Sequence, residues 1–551
     1  MKYLISFTIT ILISMNLMAQ AKKAADIIVF DAVVYTVDSN FSKASAFAIK
    51  DGKFIAIGDD LKILGDYKAD KTIDANGNAI YPGFNDGHSH FLGYGIVTAQ
   101  YANLVGTSSF EQVIYRLKKF NKQNNPEWLL GRGWDQNDWD ITDFPTNDLL
   151  NKTFPNKPVV LTRIDGHAVV ANNAALRIAA ITALTKIAGG EVLLKEGRPT
   201  GVLIDNAADL MKSFVPAFTK EQKTAALLKA QEDCFATGLT TVTDAGLNKE
   251  DILLIDELQQ QDVLKMKVYA MISPNQENFD FFYNQKPWHK ERLTVGSVKL
   301  YIDGALGSRG ALLLKEYSDD HGNFGLRLHE TAYYDTMCKM AYEAGYQVNT
   351  HSIGDSGNRI MLRTYAKYLK GKNDRRWRIE HAQIVSPEDI HYFKDFSIIP
   401  SVQATHCTSD MYWADERLGK ERIKTAYAYH DLLEQNKWLI NGTDFPIESI
   451  SPLKTFYAAV VRKDTKGWPK KGFQTENALS RENALRSITL WPAKGSFDEH
   501  QKGSIEPGKA ADFVILNKDL MTAREKELYR IKVLKTFVNG EVVFETDDKT
   551  H

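Results

Sequence analysis

Eight short strand-like runs recur along this chain with helical stretches between them: FNDGHSH, TTVTDAG, KVYAMI, VKLYID, YQVNTHS, WRIEHAQ, SIIPSVQ and WLINGTD. Strands separated by helices must be joined by crossovers, which makes the sheet parallel and covers it with helices. Eight such units, each ending in polar residues, predict an α/β chain closed into a (β/α)8 TIM barrel. KEQKTAALLKAQEDCFATG suits a barrel helix, with an apolar face and a closing glycine.

The chain ends read differently. ADIIVFDAVVYTVD and ASAFAIKDGKFIAIGD alternate apolar and polar residues around a Lys-Asp-Gly-Lys turn, and KTIDANGNAIYPGF turns at Asn76 and Gly77, so a small antiparallel sheet is expected. At the far end GSIEPGKAADFVILN and IKVLKTFVNGEVVFET are strands, with a hairpin signal at Asn539 and Gly540. The two ends, 22–80 and 495–551, are expected to build one small β-sandwich domain, leaving 81–494 for the barrel. About residues 96–215 exceed any ordinary barrel crossover and are expected to form a subdomain inserted after the first strand. Within it, Trp134 and Trp139 of GRGWDQNDWD either cap a pocket mouth or pack the insertion itself.

Residues 1–21, MKYLISFTITILISMNLMAQA, have a lysine at position 2, a short apolar run and small residues around Ala19 and Ala21. This is the pattern of a cleaved signal peptide, and Ser6, Thr8, Thr10, Ser14 and Asn16 interrupt the run too often for a stable membrane anchor. An exported protein, periplasmic or secreted, is expected. Only Cys234, Cys338 and Cys407 occur, an odd set that gives no disulfide framework. With 68 basic and 69 acidic side chains there is no electrostatic reason to expect nucleic acid as a partner. A small-molecule substrate is the natural expectation, and a homo-oligomer is compatible with the sequence.

Several strand ends carry ligand types: His88 and His90 in GFNDGHSH, His351 in VNTHSIGD, His381 in RIEHAQ and Asp444 in INGTDFP. A lone His-x-His pair means little, because alternate strand residues share a face with or without a metal. Four histidines on three such ends, with an acid on another, read as a metal centre for hydrolysis at the carboxyl-terminal face of a barrel. Asp444 is the candidate for both ligand and general base or acid. Lys299 in GSVKLYIDG sits inside a strand, where an ammonium is costly unless it is paired with a carboxylate such as Asp303 or Asp244 or is chemically altered. Carbamylation would turn it into a carboxylate able to bridge two cations. His167 in DGHAV and His406 in QATHCTSDMYW are candidates for substrate contact or for stabilising an oxyanion. Trp134, Tyr412 and Trp413 hint at an apolar or aromatic group on the substrate.

The phrases PGFNDGHSH, GLTTVTDAG, KLYIDGALGSRGALL, THSIGDSGN, RIEHAQ, PSVQATHCTSDMYW, GTDFPIE and GSIEPGKAADFVIL occur in an order that resembles amidohydrolase family 3, in its long-insert branch that includes N-substituted formamide deformylase. The resemblance covers about residues 25–545. It implies a barrel with a small sandwich and one or two divalent ions, zinc or a relative. It implies His88 and His90 as ligands of the more buried ion, Lys299 as the often carbamylated bridge, His351 and His381 as ligands of a second ion and Asp444 as the eighth-strand acid. GTD for GSD and SVQATH for SVQPTH are departures that change no ligand. The expected activity is hydrolysis of a non-peptide carbon-nitrogen bond in an amide-type small molecule. An ester or lactone hydrolase on the same site, or an exported binding protein without turnover, are the alternatives.

Overall fold

The structure is a computed structural model and describes residues 22–546; the expected signal segment, residues 1–21, lies outside the described residues. Eight parallel strands curve into a nearly closed barrel: β1 (Phe84–Ser89), β2 (Leu239–Leu247), β3 (Lys267–Ile272), β4 (Leu293–Tyr301), β5 (Gln347–Ser352), β6 (Arg378–His381), β7 (Ile399–Val402) and β8 (Ile440–Asn441). Neighbours pair in chain order from β1 to β8. All eight sequence runs supply a strand, and their near-continuous burial is what a sheet covered on both faces requires. The helix Lys220–Ala236 follows its sequence signals, with a Thr219/Gln222 capping box and Gly238 at φ +86° just beyond its end.

The seam between β8 and β1 closes through the residues that follow β8. The Asp444 amide donates to the His88 carbonyl (2.8 Å) and the His90 amide to the Phe445 carbonyl (2.9 Å), while the Thr443 hydroxyl donates to Asp86 (2.7 Å). Two glycines permit this approach. A Cβ on Gly87 would lie 2.0 Å from Ile440 Cγ2, and one on Gly442 would lie 2.4 Å from the His88 nitrogen. Because the second clash is with backbone, Gly442→Ala is expected to cost about 3 kcal/mol, the upper end of overpacking effects. Urea unfolding would measure this, and an unchanged midpoint would mean that the strand-8 segment does not ride against His88.

Both chain ends contribute to a two-sheet sandwich. One sheet orders Lys53–Gly58, Ala46–Lys50, Lys23–Phe30 and Tyr67–Asp74; the other joins Val33–Tyr35, Lys43–Ala44 and Ala79–Pro82 to Phe513–Leu516, Val533–Val538 and Glu541–Glu545. Phe47, Phe54, Phe513 and Phe537 fill the space between, with Phe513 and Phe537 stacked 4.0 Å apart. The sheets are mixed rather than antiparallel as expected: Lys23–Phe30 runs parallel to Tyr67–Asp74, because the helix Asp60–Asp66 carries the chain back before the latter strand begins. Asn539 and Gly540 both adopt positive φ (48° and 77°), as the tight hairpin between Val533–Val538 and Glu541–Glu545 requires.

The long segment between β1 and β2 holds its own six-stranded sheet, from Ala102–Asn103 through Leu129–Trp134, Val159–Arg163, Ala168–Ala171 and Arg198–Asp205 to Gly190–Lys195. Separate apolar clusters cover its faces. Trp134 and Trp139 belong to one of them and donate their indole N–H groups to the Leu161 and Thr107 carbonyls (both 2.9 Å). The packing alternative therefore holds for both, and neither caps a pocket.

Candidate active site

The strand ends of the barrel bring five of the expected residues together. His88 lies in β1, His90 just beyond it, Lys299 in β4, His381 at the end of β6 and Asp444 three residues past β8. His88 Nδ1 is 2.6 Å from Glu380 Oε2, so its Nε2 is left to face inward, 3.2 Å from Lys299 Nζ and 3.5 Å from Asp444 Oδ1. His90 Nε2 lies 3.2 Å from the same Asp444 oxygen. Glu380 and His381 are sequence neighbours that strand alternation would send to opposite faces, but His381 has φ +72°, and both side chains are buried around His88. Asp444 also has a left-handed backbone, φ +59°. Two such residues at one strand-end cluster are a local strain of the kind concentrated at functional sites.

One donor atom from each of His88, His381 and Asp444 lies within 4.8 Å of the other two. His381 Nδ1 and Asp444 Oδ1 are buried without an aligned hydrogen-bond partner. An unpartnered imidazole nitrogen beside a carboxylate oxygen approached only by imidazoles is a donor set that a divalent cation satisfies, and the mixture suits zinc or a similar metal. Burial above all, reinforced for His351 by the His167 and Lys299 charges, holds both histidines well below their usual range, in the neutral form that metal ligation requires. His351 adjoins His381 (ring centroids 4.4 Å) but is not in the group of three: its Nε2 is directed to the Gly304 carbonyl (3.5 Å) and Asp303 (3.8 Å).

Lys299 pairs with neither Asp303 nor Asp244. Asp303 accepts the Leu312, Ile353 and Gly354 amides and Asp244 accepts the Leu92 amide, whereas Lys299 meets His88 and the field of Glu380 and Asp444. Burial lowers its amine to about 8 despite those two carboxylates. His406 stands between Asp444 Oδ2 and Glu448 Oε1, 3.3 Å from each. Burial opposes its charge, but the two acids outweigh burial and push it up to about 10. Burial would raise Asp444; bonding to His406 and His90 and the nearby charges hold it well below the carboxylate range. His167 reaches the barrel from the inserted sheet, its Nδ1 2.8 Å from Asp205 Oδ1 and its ring 4.9 Å from that of His351. A Cβ on Gly304 would lie 2.4 Å from Asp205, so only glycine leaves room for this pair.

A cavity of about 680 Å³ opens over these groups, between the barrel mouth and the insertion. Of the three aromatics expected to meet substrate, Trp413 lines it; Trp134 is in the insertion core, and Tyr412 stacks on Trp468 (5.0 Å) and bonds Asp464. Tyr94, Tyr101 and Tyr301 line it instead. Sequence reasoning missed Glu380, Asp205 and the charged pair Arg132 and Arg163. Glu380 could have been found as the acid beside an expected ligand histidine, His381. Asp205 gave no signal, because its role depends on how the insertion folds back over β4.

A model of the amidohydrolase family matches residues 71–544. The chain is 32% identical over 541 residues to Protein LONG AFTER FAR-RED 3 of Arabidopsis thaliana (94% of this chain, 92% of the relative) and 30% identical over 529 residues to the putative amidohydrolase YtcJ of Bacillus subtilis (93% and 98%). It is 25% identical over 549 residues to the N-substituted formamide deformylase of Arthrobacter pascens (94% and 98%). Among solved structures, an uncharacterised metal-dependent hydrolase of Pyrococcus horikoshii superposes with TM-score 0.73 at 29% identity, covering 91% of this chain and 99% of that one.

Proposed function

The chain belongs to amidohydrolase family 3, and from that premise we propose that it is an exported metal-dependent hydrolase of a non-peptide carbon-nitrogen bond in a small amide-type molecule. The observation that carries this reading is the two-sided setting of Asp444, with one oxygen toward His88 and His90, the other against His406, and His381 in the same cluster. His88, His90, His381 and Asp444, with Lys299 and His351 alongside, would hold one or two ions, probe metal zinc. When bound, a divalent cation supplies Lewis acidity and lowers the pKa of water from 15.7 toward roughly 7.

The remaining work falls to the chain. Asp444, kept ionised by its histidine partners, takes a proton from the attacking water and returns it to the departing nitrogen. A C–O bond forms as the C–N bond breaks, and acid and amine leave. His406, held charged between two carboxylates, contributes positive charge near the carbonyl oxygen as it gains charge, and His167, whose Nδ1 is held by Asp205, donates toward that oxygen from Nε2. A Lys299 amine lowered to about 8 loses its proton at modest cost, which supports carbamylation there. Export is carried by residues 1–21 in this reading.

The test is hydrolysis by the zinc-loaded protein of N-substituted formamides beside the matching formate esters. Amide cleavage is the expected result. Cleavage of esters alone would favour the ester or lactone alternative, and ligand binding without turnover would favour a binding protein.

A further inference from the structure

Two arginines line the cavity, and they are treated differently by their neighbours. Arg163 is matched by Asp135 and Asp165 and donates Nε to Gln136 (2.8 Å). Arg132 has no carboxylate oxygen within 4.0 Å among the described residues. Its Nη2 donates to the Ile164 carbonyl (3.2 Å), and its Nε is buried with no partner. The acid whose charge acts on it most, Asp165, is committed to Arg163 and to the His167 amide, and Asp135, nearer in sequence, is also committed to Arg163. A half-buried guanidinium that feels Asp165 and Asp444 only at a distance and has no ion-pair partner among the described residues is incompletely compensated, and a fork of parallel N–H groups is the geometry that carboxylates match.

The local backbone is built around this side chain. The register of Leu129–Trp134 against Val159–Arg163 shifts between Arg132 and Trp134, at Gly133, whose φ of +103° and 2.4 Å virtual contact with Val105 admit only glycine. Such a bulge re-aims the adjacent side chain. Opposite, a Cβ on Gly166 would come 3.4 Å and 3.6 Å from the two Nη atoms, so the guanidinium lies in ordinary contact range of this turn. Arg132 also forms part of the wall, with His90, His167 and Tyr301, that separates the main cavity from a second one of about 450 Å³. An anion held there would lie beside the metal-ligand cluster rather than at the remote rim.

We infer that Arg132 determines specificity by binding a carboxylate on the substrate, so that the preferred substrates are amides with an acidic group on one flank. This deepens the amide-hydrolase reading above and rests on it. Its test compares 3- and 4-formamidobenzoate with the corresponding neutral formamidobenzamides, using the zinc-loaded full protein, Arg132→Met and Arg132→Lys. The wild type is expected to prefer a benzoate. Arg132→Met should lower kcat/KM for that benzoate roughly 10- to 100-fold, mostly through KM, the range for a lost bond to a charged group, while the benzamides change little. Arg132→Lys should fall between, because it keeps the charge and loses the fork.

Equal losses on acid and amide, or no wild-type preference, would overturn the inference while leaving amide hydrolysis standing. If no compound is hydrolysed, the amide reading fails, and calorimetry still decides the role of Arg132. Benzoate binding weakened about tenfold or more in Arg132→Met supports it. Equal binding, or none by the wild type, overturns it. Thermal melting of both variants checks that they fold.

Discussion

Asp444→Asn is expected to lower kcat about a thousandfold or more, within the range of a lost general acid-base group. The amide keeps the size of the carboxylate and can still accept a bond from His406 and lean toward His88 and His90, but it cannot carry a proton from water to nitrogen. The seam is also spared, because the Asp444 contribution to closing the barrel is its backbone N–H to the His88 carbonyl. Circular dichroism and melting should therefore match the wild type while turnover collapses. A variant with kcat within tenfold of wild type would remove Asp444 from the proton path. The same substitution should also return His406 toward an ordinary imidazole, since Asp444 is one of the two acids that hold it charged.

Arg163→Met is expected to cost about 3–5 kcal/mol of stability at neutral pH, the penalty for breaking a buried ion pair on one side. The guanidinium is 1% exposed and is flanked by Asp135 and Asp165, so its loss leaves two carboxylates without a counter-charge. Burial raises the Asp165 carboxyl, but Arg163 and then His167 outweigh it and hold Asp165 below its usual range. A depressed carboxyl stabilises the fold above its unfolded pKa, near 3.9, and that contribution fades as pH falls through the folded value. In Arg163→Met the sign reverses for Asp165, and Asp135, which burial already raises despite Arg163, is raised further, so protonation relieves both. The deficit should thus be largest at neutral pH and shrink toward about pH 5, which urea unfolding at the two pH values would show. A deficit under about 1 kcal/mol, typical of an exposed pair, or one that grows on acidification, would contradict the account.

The barrel was legible because its evidence is local. Eight apolar runs with polar ends survive in the sequence as eight parallel strands, and the residues at those ends mark one rim. His88, His90, Lys299, His381 and Asp444 were legible for that reason, each being at or near the end of one of four strands. Relations across the fold were not. That the loop after β8 would deliver Asp444 between His90 and His406 depends on the β1–β8 seam, which no single segment encodes. Strand alternation could not predict that Glu380 and His381 would both surround His88, because the left-handed backbone at His381 breaks the two-residue period. The mixed sandwich had the same cause: the path of Asp60–Asp66, and not the strand composition, decides which way Tyr67–Asp74 runs. Trp134 and Trp139 read equally well as cap or core from sequence, and the indole bonds to Leu161 and Thr107 settle them as core.

The central claim is that the strand-end cluster around His88, His381 and Asp444 is a working metal centre. Elemental analysis of the purified protein, before and after chelation and after zinc is restored, paired at each step with formamide hydrolysis, tests it most directly. The account predicts near-stoichiometric metal, activity lost with the metal and regained with zinc, and loss of both in His381→Ala. Protein that hydrolyses formamides equally well when stripped of metal, or that fails to take up zinc with the cluster intact, would contradict it.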